Sequence, residues 1–333
     1  MLAWLKSLIV AGVACAALAS PSAAQTMTVR LAKQPGVAYL PLMVMEKEGL
    51  FEKQAEKAGF DITTEWLRFT GGSAMNEALI SGSLDIATGG IPPLLTIWSR
   101  TENNLKVKGI AGLSGHPQLL LTTNPNIKTL ADFSASDKIA VPAVKVSNQA
   151  VMMQMAAAKE LGEDKAMSID PFTVSMGHPD ALAAMLGGSD VNSHFSQSPF
   201  QDMALEDPKV RAVMNSWDIV GGPYPIAVAW ATSRFSDDHP GLIGAFIAAL
   251  QEAQAMIQAD LDYAAATWIE ADVKTFTPDQ AKAILSNPDM RWDAAPQNTL
   301  TFLNHMNKVG LVERTTDDWR DVYFPEIGQM DGS

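Results

Sequence analysis

The sequence predicts an α/β protein of two lobes, each a mostly parallel sheet flanked by helices, joined by a two-segment hinge. Three observations carry this expectation. Short β-rich runs alternate with helical stretches across short loops, the rhythm of helices packed on parallel strands. The alternation occurs in two successive series, and a late apolar strand at 226–232 is followed by helices alone. With 333 residues, 47% of them hydrophobic and 18% charged, the chain can fill about two domain cores.

In the first series, 28–32 reads as a strand and 40–47 as a helix stopped by Gly49. Residues 61–67 alternate as a strand, and Gly71-Gly72-Ser73 opens a helix ending at Gly82. The strand 84–88 closes at Gly89-Gly90. Pro92-Pro93 suits the start of the next helix, where a missing N–H breaks no helical bond. Runs 107–113 and 119–123 complete this series. The second begins near Leu130, with a strand at 138–142 and Ser147 as the cap of a helix carrying Val151, Met152, Met155 and Leu161. The run Met152, Met153, Met155 reads as core filling, because helical spacing divides it among faces. A strand at 172–175, a helix with Pro179 as its first residue ending at Gly187-Gly188, a strand at 190–195, a helix from Pro199 and a strand at 210–215 finish the series.

After 226–232 come helices at 242–257, 263–270, 278–285 and 297–309. The first carries Leu242, Ile243, Phe246, Ile247, Leu250 and Ile257 as one apolar stripe. Such a tail needs a surface to cover, and the first lobe offers one. The expected division is lobe 1 at 25–120 and 228–333, with lobe 2 at 121–227, and crossings near 119–128 and 223–232.

Residues 1–24 read as a signal peptide. Lys6 supplies the positive start, 8–18 the apolar run, and Ser22-Ala23-Ala24 the small residues for cleavage before Gln25. The run is shorter than a bilayer-spanning helix requires, so export to the periplasm with no membrane span after cleavage is expected. Cys15, the only cysteine, would leave with this segment, and Gly12-Val13-Ala14 before it makes a poor lipid-attachment motif. One cysteine excludes a disulfide framework, a cysteine-rich zinc site and an iron–sulfur cluster. A net charge of −13 repels a phosphate backbone and argues against a nucleic-acid partner.

Seven short segments, in order, resemble a known family. They are Tyr39-Leu40-Pro41-Leu42 with Glu48-Gly49-Leu50-Phe51, Gly71-Gly72-Ser73 with Asn76-Glu77-Ala78-Leu79, and Ser81-Gly82-Ser83-Leu84-Asp85-Ile86-Ala87. Ile127-Lys128-Thr129-Leu130-Ala131-Asp132-Phe133 and Lys138-Ile139-Ala140-Val141-Pro142 follow. Together they are similar to the periplasmic substrate-binding proteins of nitrate/sulfonate/taurine-type ABC importers, whose close relatives bind pyrimidines. The resemblance implies a type II two-lobed periplasmic-binding-protein fold. It also implies a small-molecule ligand in the cleft, either a sulfonate-, nitrate- or carboxylate-like anion or a pyrimidine-like compound. Permease and ATPase subunits would be its partners, and a monomer is expected.

In open parallel sheets ligands gather beyond the carboxyl ends of strands, where helix N-termini present free N–H groups. The loop 35–39 with Tyr39, the turn Gly71-Gly72-Ser73, and Gly90 meet that condition in the first lobe. In the second, Ser147 and Asn148 open a helix beside Lys145, which reads either as the cation for a bound anion or as a solvated loop residue. His194 ends a strand and reads either as a ligand donor or as a half-buried histidine. His116 ranks below it. Tyr224, before the second crossing, and Tyr39 read either as flanks for a ligand or as packing. No catalytic residue, metal or cofactor is expected: Gly-x-Ser-x-Gly, P-loop and His-Glu-x-x-His motifs are absent, and the five histidines are scattered. His178 and His239 each precede a proline and read as loop residues. The alternatives to import are a two-lobed enzyme, whose pyrimidine-making relatives rely on a cysteine cluster this chain lacks, and a sensor presenting its ligand to a membrane receptor.

Overall fold

Val29 and Leu31 are buried and alternate with exposed Thr28 and half-buried Arg30 only at the start of the first strand; from Leu31 onward that strand is covered on both faces. This is the burial expected of a strand inside a sheet with helices on each side. The computed structural model describes residues 26–69, 71–328 and 330–333, so the expected signal peptide at 1–24, with Lys6 and Cys15, lies outside the described residues. Along the described chain the strands are β1 (Met27–Lys33), β2 (Ile62–Arg68), β3 (Ile86–Gly89), β4 (Lys108–Ser114), β5 (Leu119–Thr122), β6 (Ile139–Val141), β7 (Thr173–Ser175), β8 (Ser193–Ser196), β9 (Arg211–Asn215) and β10 (Ala227–Ala231).

They form two five-stranded sheets, ordered β2-β1-β3-β10-β4 and β7-β6-β8-β5-β9. In the first, β1 runs parallel to β2 and to β3, while β10 is antiparallel between β3 and β4. The second repeats this plan. There β6 is parallel to β7 and β8, and β5 is antiparallel between β8 and β9. Each sheet thus receives its one reversed strand from a segment arriving from the other lobe. The two lobes of the fold are these two sheets with their helices.

One boundary differs from the sequence reading. Residues 119–123 were expected to close the first series, yet β5 pairs with β8 from Leu119↔Ser196 to Thr122↔Ser193 and belongs wholly to the second sheet. An apolar four-residue strand carries no signal for which sheet will take it. The first crossing is therefore 115–118, ahead of the expected 119–128, and the second runs through 221–226. The crossings touch: Ile226 N donates to Ser114 O at 2.9 Å, and a Cβ on Gly115 would lie 2.7 Å from Tyr224 O. Only glycine permits that approach.

The tail covers the first lobe. Helix Leu242–Ala259 packs on Leu40–Glu48 and Leu50–Lys57, with Phe51 and Phe246 edge to face at 5.4 Å. It is long and apolar enough to cross a membrane by composition, but its buried stripe marks it as a core helix. Helix Thr299–Lys308 lies against both Ile91–Arg100 and the second lobe's Asn148–Leu161. Met152 and Met153 are fully buried and Met155 partly so, as the core-filling reading required.

Candidate functional site

Between the lobes lies a cavity of about 30 Å³, room for a water or two, so the cleft is shut. Gln34, Tyr39, Gly71-Gly72-Ser73, Gly90 and Pro93 line it from the first lobe, and Ile226 from the second crossing. Pro142, Ala143, Ser147, Asn148, Gln149, His178 and Gln197 line it from the other side. No Lys, Arg, Asp or Glu is among these residues.

Four helices begin at its walls: Gly72–Ile80, Ile91–Arg100, Asn148–Leu161 and His178–Leu186. Their first-turn N–H groups have no partner within the helix. Sequence then separates them. Pro92 and Pro93 strip the second helix of two donors, and Pro179 strips the fourth of one. Gly71 caps the first helix without a side-chain bond, so the amides of Gly72, Ser73 and Ala74 face the cleft end uncapped. In the third, Ser147 Oγ accepts from Ala150 N at 3.3 Å, leaving the amides of Asn148 and Gln149. One donor-rich helix end therefore comes from each lobe.

Asn148 is 4% exposed. Its Nδ2 donates to Ile226 O at 2.9 Å, which ties the second lobe to the hinge strand. Its Oδ1 is buried and has no hydrogen-bond partner. Gln149 Nε2 approaches His178 Nε2 at 3.4 Å, and His178 Nδ1 lies 2.9 Å from His194 Nε2. With the glutamine N–H as donor, His178 carries its proton on Nδ1 and donates to His194. Phe200 stacks on His178 at 5.8 Å. His116 Nε2 accepts from Ser198 N at 3.2 Å. Burial holds all three imidazoles neutral: it pushes His116 down to about 3, with His178 adding to the effect, His178 down to about 4, and His194 well below its ordinary value.

Of the residues expected from sequence, Tyr39, Gly71, Gly72, Ser73, Gly90, Ser147 and Asn148 meet at this cavity. Tyr39 is 3% exposed and closes the turn Val37–Tyr39, and burial raises its phenol. Three others stand elsewhere. Lys145 takes φ +67° in the loop before Ser147 and is exposed, its charge acting on Asp170 rather than on the cavity, because an ammonium on a long stem keeps its water when nothing buried pairs with it. His194 is fully buried in β8 and touches the cavity wall only through His178. Tyr224 packs on Phe302 at 5.4 Å, and its hydroxyl donates to Gln118 Oε1 at 3.0 Å. It borders a separate groove of about 440 Å³ with Gly221, Gly222 and Arg291 along the hinge.

His178, Gln34, Gln149 and Gln197 line the cavity without having been singled out as ligand groups. For His178 a signal was present: Gly177-His178-Pro179 repeats the pattern of Gly90-Ile91-Pro92, a helix start just beyond a strand. Among the described residues no group of three His, Cys, Asp or Glu could hold a metal.

The model of the NMT1-like family matches residues 22–270. No curated protein matches the chain. Among solved structures, the chain is similar to the alkanesulfonate-binding protein SsuA from Xanthomonas axonopodis pv. citri bound to MOPS, at 16% identity and TM-score 0.68, covering 93% of this chain and 100% of that one. It is similar to the ligand-binding component of an ABC-type import system from Staphylococcus aureus, at 13% identity and TM-score 0.69, covering 92% and 99%. The periplasmic nitrate-binding protein NrtA from Synechocystis is a third, at 14% identity and TM-score 0.67, covering 88% and 84%. At these identities the likeness establishes the fold, that of two-lobed periplasmic binding proteins.

Proposed function

This chain belongs to the NMT1-like family, and we propose that it is the solute-binding component of an ABC import system, acting in the periplasm. It captures a small organic or inorganic anion, or a pyrimidine-like compound, between its lobes and delivers it to a membrane permease driven by a separate ATPase. The observation that carries this reading is the meeting of two helix ends with free first-turn amides, Gly72–Ile80 from one lobe and Asn148–Leu161 from the other, at one cavity lined by both lobes.

The physics follows from that placement. Each helix end favours an acceptor oxygen or a negative charge by about 0.3–1 kcal/mol, and by more once water is expelled. A ligand oxygen bound to both ends gains its second set of contacts only when the lobes are together. It therefore has higher affinity for the closed state and shifts the hinge equilibrium by that difference. No bond is made or broken. With no charged side chain in the lining, the ligand is held by amide dipoles, so release needs no ion pair to be separated.

Differential scanning fluorimetry against nitrate, methanesulfonate, acetate and acetamide tests the reading. A bound solute raises the melting temperature by mass action. Stabilisation by at least one of these solutes, abolished when Gly71→Val, whose Cβ would point across the cleft to Pro142 O at 4.0 Å, crowds the amide end, is the expected result. No stabilisation by any of them counts against a small-solute cleft.

A further inference from the structure

We infer that Asn148 reads a hydrogen-bond donor on the ligand, so that the solute carries an N–H or O–H group beside its acceptor oxygens. This deepens the proposed function and rests on the interlobe cavity being the ligand site. Asn148 has an amide whose orientation the fold fixes. Ile226 O, 2.9 Å away, is a carbonyl and can only accept, so the NH₂ side of the amide must face it. The oxygen side is then committed to the opposite direction, against Gly90 at the cavity wall, where it is buried without a partner. A buried acceptor left unpaired is unfavourable, and native folds leave few of them.

The neighbouring helix end does not answer it. Ile91–Arg100 starts beside this oxygen, yet Pro92 and Pro93 have no N–H to give, Leu94 N already donates to Gly90 O, and the Ile91 N–H does not bond it. The fold thus sets an acceptor beside a stretch of backbone poor in donors. Gln149 stands next in the chain, also lining the cavity, with its amide nitrogen turned to His178, whose imidazole is bonded in turn to His194. The cavity is therefore two-sided: backbone N–H groups at Gly72–Ile80 and Asn148–Leu161 for ligand oxygens, and a side-chain carbonyl for a ligand donor. An ion with acceptors alone, such as nitrate or a carboxylate without a second function, would set an oxygen against Asn148 Oδ1. An amide, or an amino-substituted ring that also bears a carbonyl, satisfies both sides.

Acetamide and acetate separate the possibilities, since they are close in size and planarity and differ in the N–H donors. Saturation-transfer NMR on the whole protein reads the binding of each methyl group directly. The expected result is a preference for acetamide of about tenfold or more, because a site built to bond an N–H rejects the analogue lacking it. In Asn148→Ala that preference, read as the ratio of the two affinities in the same variant, should collapse to within about threefold. Acetate bound as well as acetamide by the native protein, or a preference unchanged in Asn148→Ala, overturns the inference and leaves solute binding in place. Transfer to neither compound overturns the cleft reading together with the inference. Circular dichroism of Asn148→Ala guards the comparison, and if that variant is unfolded, Asn148→Ser, which restores a small acceptor, is expected to recover the preference in part.

Discussion

Gly90 and Asn148 meet face to face across the lobe boundary: a Cβ on Gly90 would overlap the whole amide of Asn148, with Nδ2 at 2.7 Å. Gly90 has ordinary extended torsions, φ −72° and ψ 167°, so alanine there strains no backbone. The glycine is needed for closure and not for folding. Gly90→Ala should therefore leave the melting temperature of the ligand-free protein within a few degrees of native while raising the radius of gyration in solution scattering. A compact Gly90→Ala protein would show that the two lobes close without this contact.

Lys145→Ala should change binding of any cleft solute by less than about threefold, since the side chain stands in solvent outside the cavity. Calorimetric titration with an anionic solute checks it. A loss of tenfold or more would bring the ammonium back to the site, as the sequence alone allowed.

Tyr224→Phe removes a buried hydroxyl from Gln118 Oε1 and keeps the ring on Phe302. A neutral buried hydrogen bond contributes about 0.5–1.5 kcal/mol, and the orphaned Gln118 oxygen adds to the cost. Denaturant unfolding should show a loss of about 1–2 kcal/mol, with solute affinity within about threefold of native. A selective loss of affinity would instead make Tyr224 a ligand group.

Much of this was legible before any coordinates, and the reasons differ by residue. Gly71, Gly72, Ser73, Gly90, Ser147 and Asn148 meet at the cavity because a strand end followed by a helix start is a local pattern, and the cleft is built from such junctions. Lys145, His194 and Tyr224 stand away from the cavity lining because side-chain direction near a turn depends on tertiary neighbours: φ at Lys145, the β8 pleat at His194, Phe302 at Tyr224. The swap of β5 into the second sheet was hidden for a related cause. Three leucines and a threonine, Leu119–Thr122, make a short, mostly apolar strand that suits either sheet equally.

Acid should destabilise the protein early. His116 and His178 are held neutral by burial at about 3 and about 4, below an unfolded value near 6.5. Between those values the unfolded chain binds more protons, so stability is full above pH 6.5 and falls as pH drops toward 4. At pH 5.5 each of the two removes about 1.4 kcal/mol. His194, lowered in the same sense, adds to this. Asp170 and Asp202, raised by burial, act in the opposite sense, so urea unfolding at pH 7 and pH 5.5 should show a net loss at pH 5.5 if the histidines dominate. Equal stability at the two values would mean that the imidazoles are charged or solvated in the native state.

Whether a solute is held between the lobes is tested most directly by native mass spectrometry of the exported protein, purified without denaturant, beside Gly90→Ala prepared in the same way. A small-molecule adduct on the native protein that is missing from Gly90→Ala is the predicted result, because only a closed cleft retains a ligand touching both helix ends. An adduct kept equally by both proteins, or found on neither, would contradict capture at this cavity.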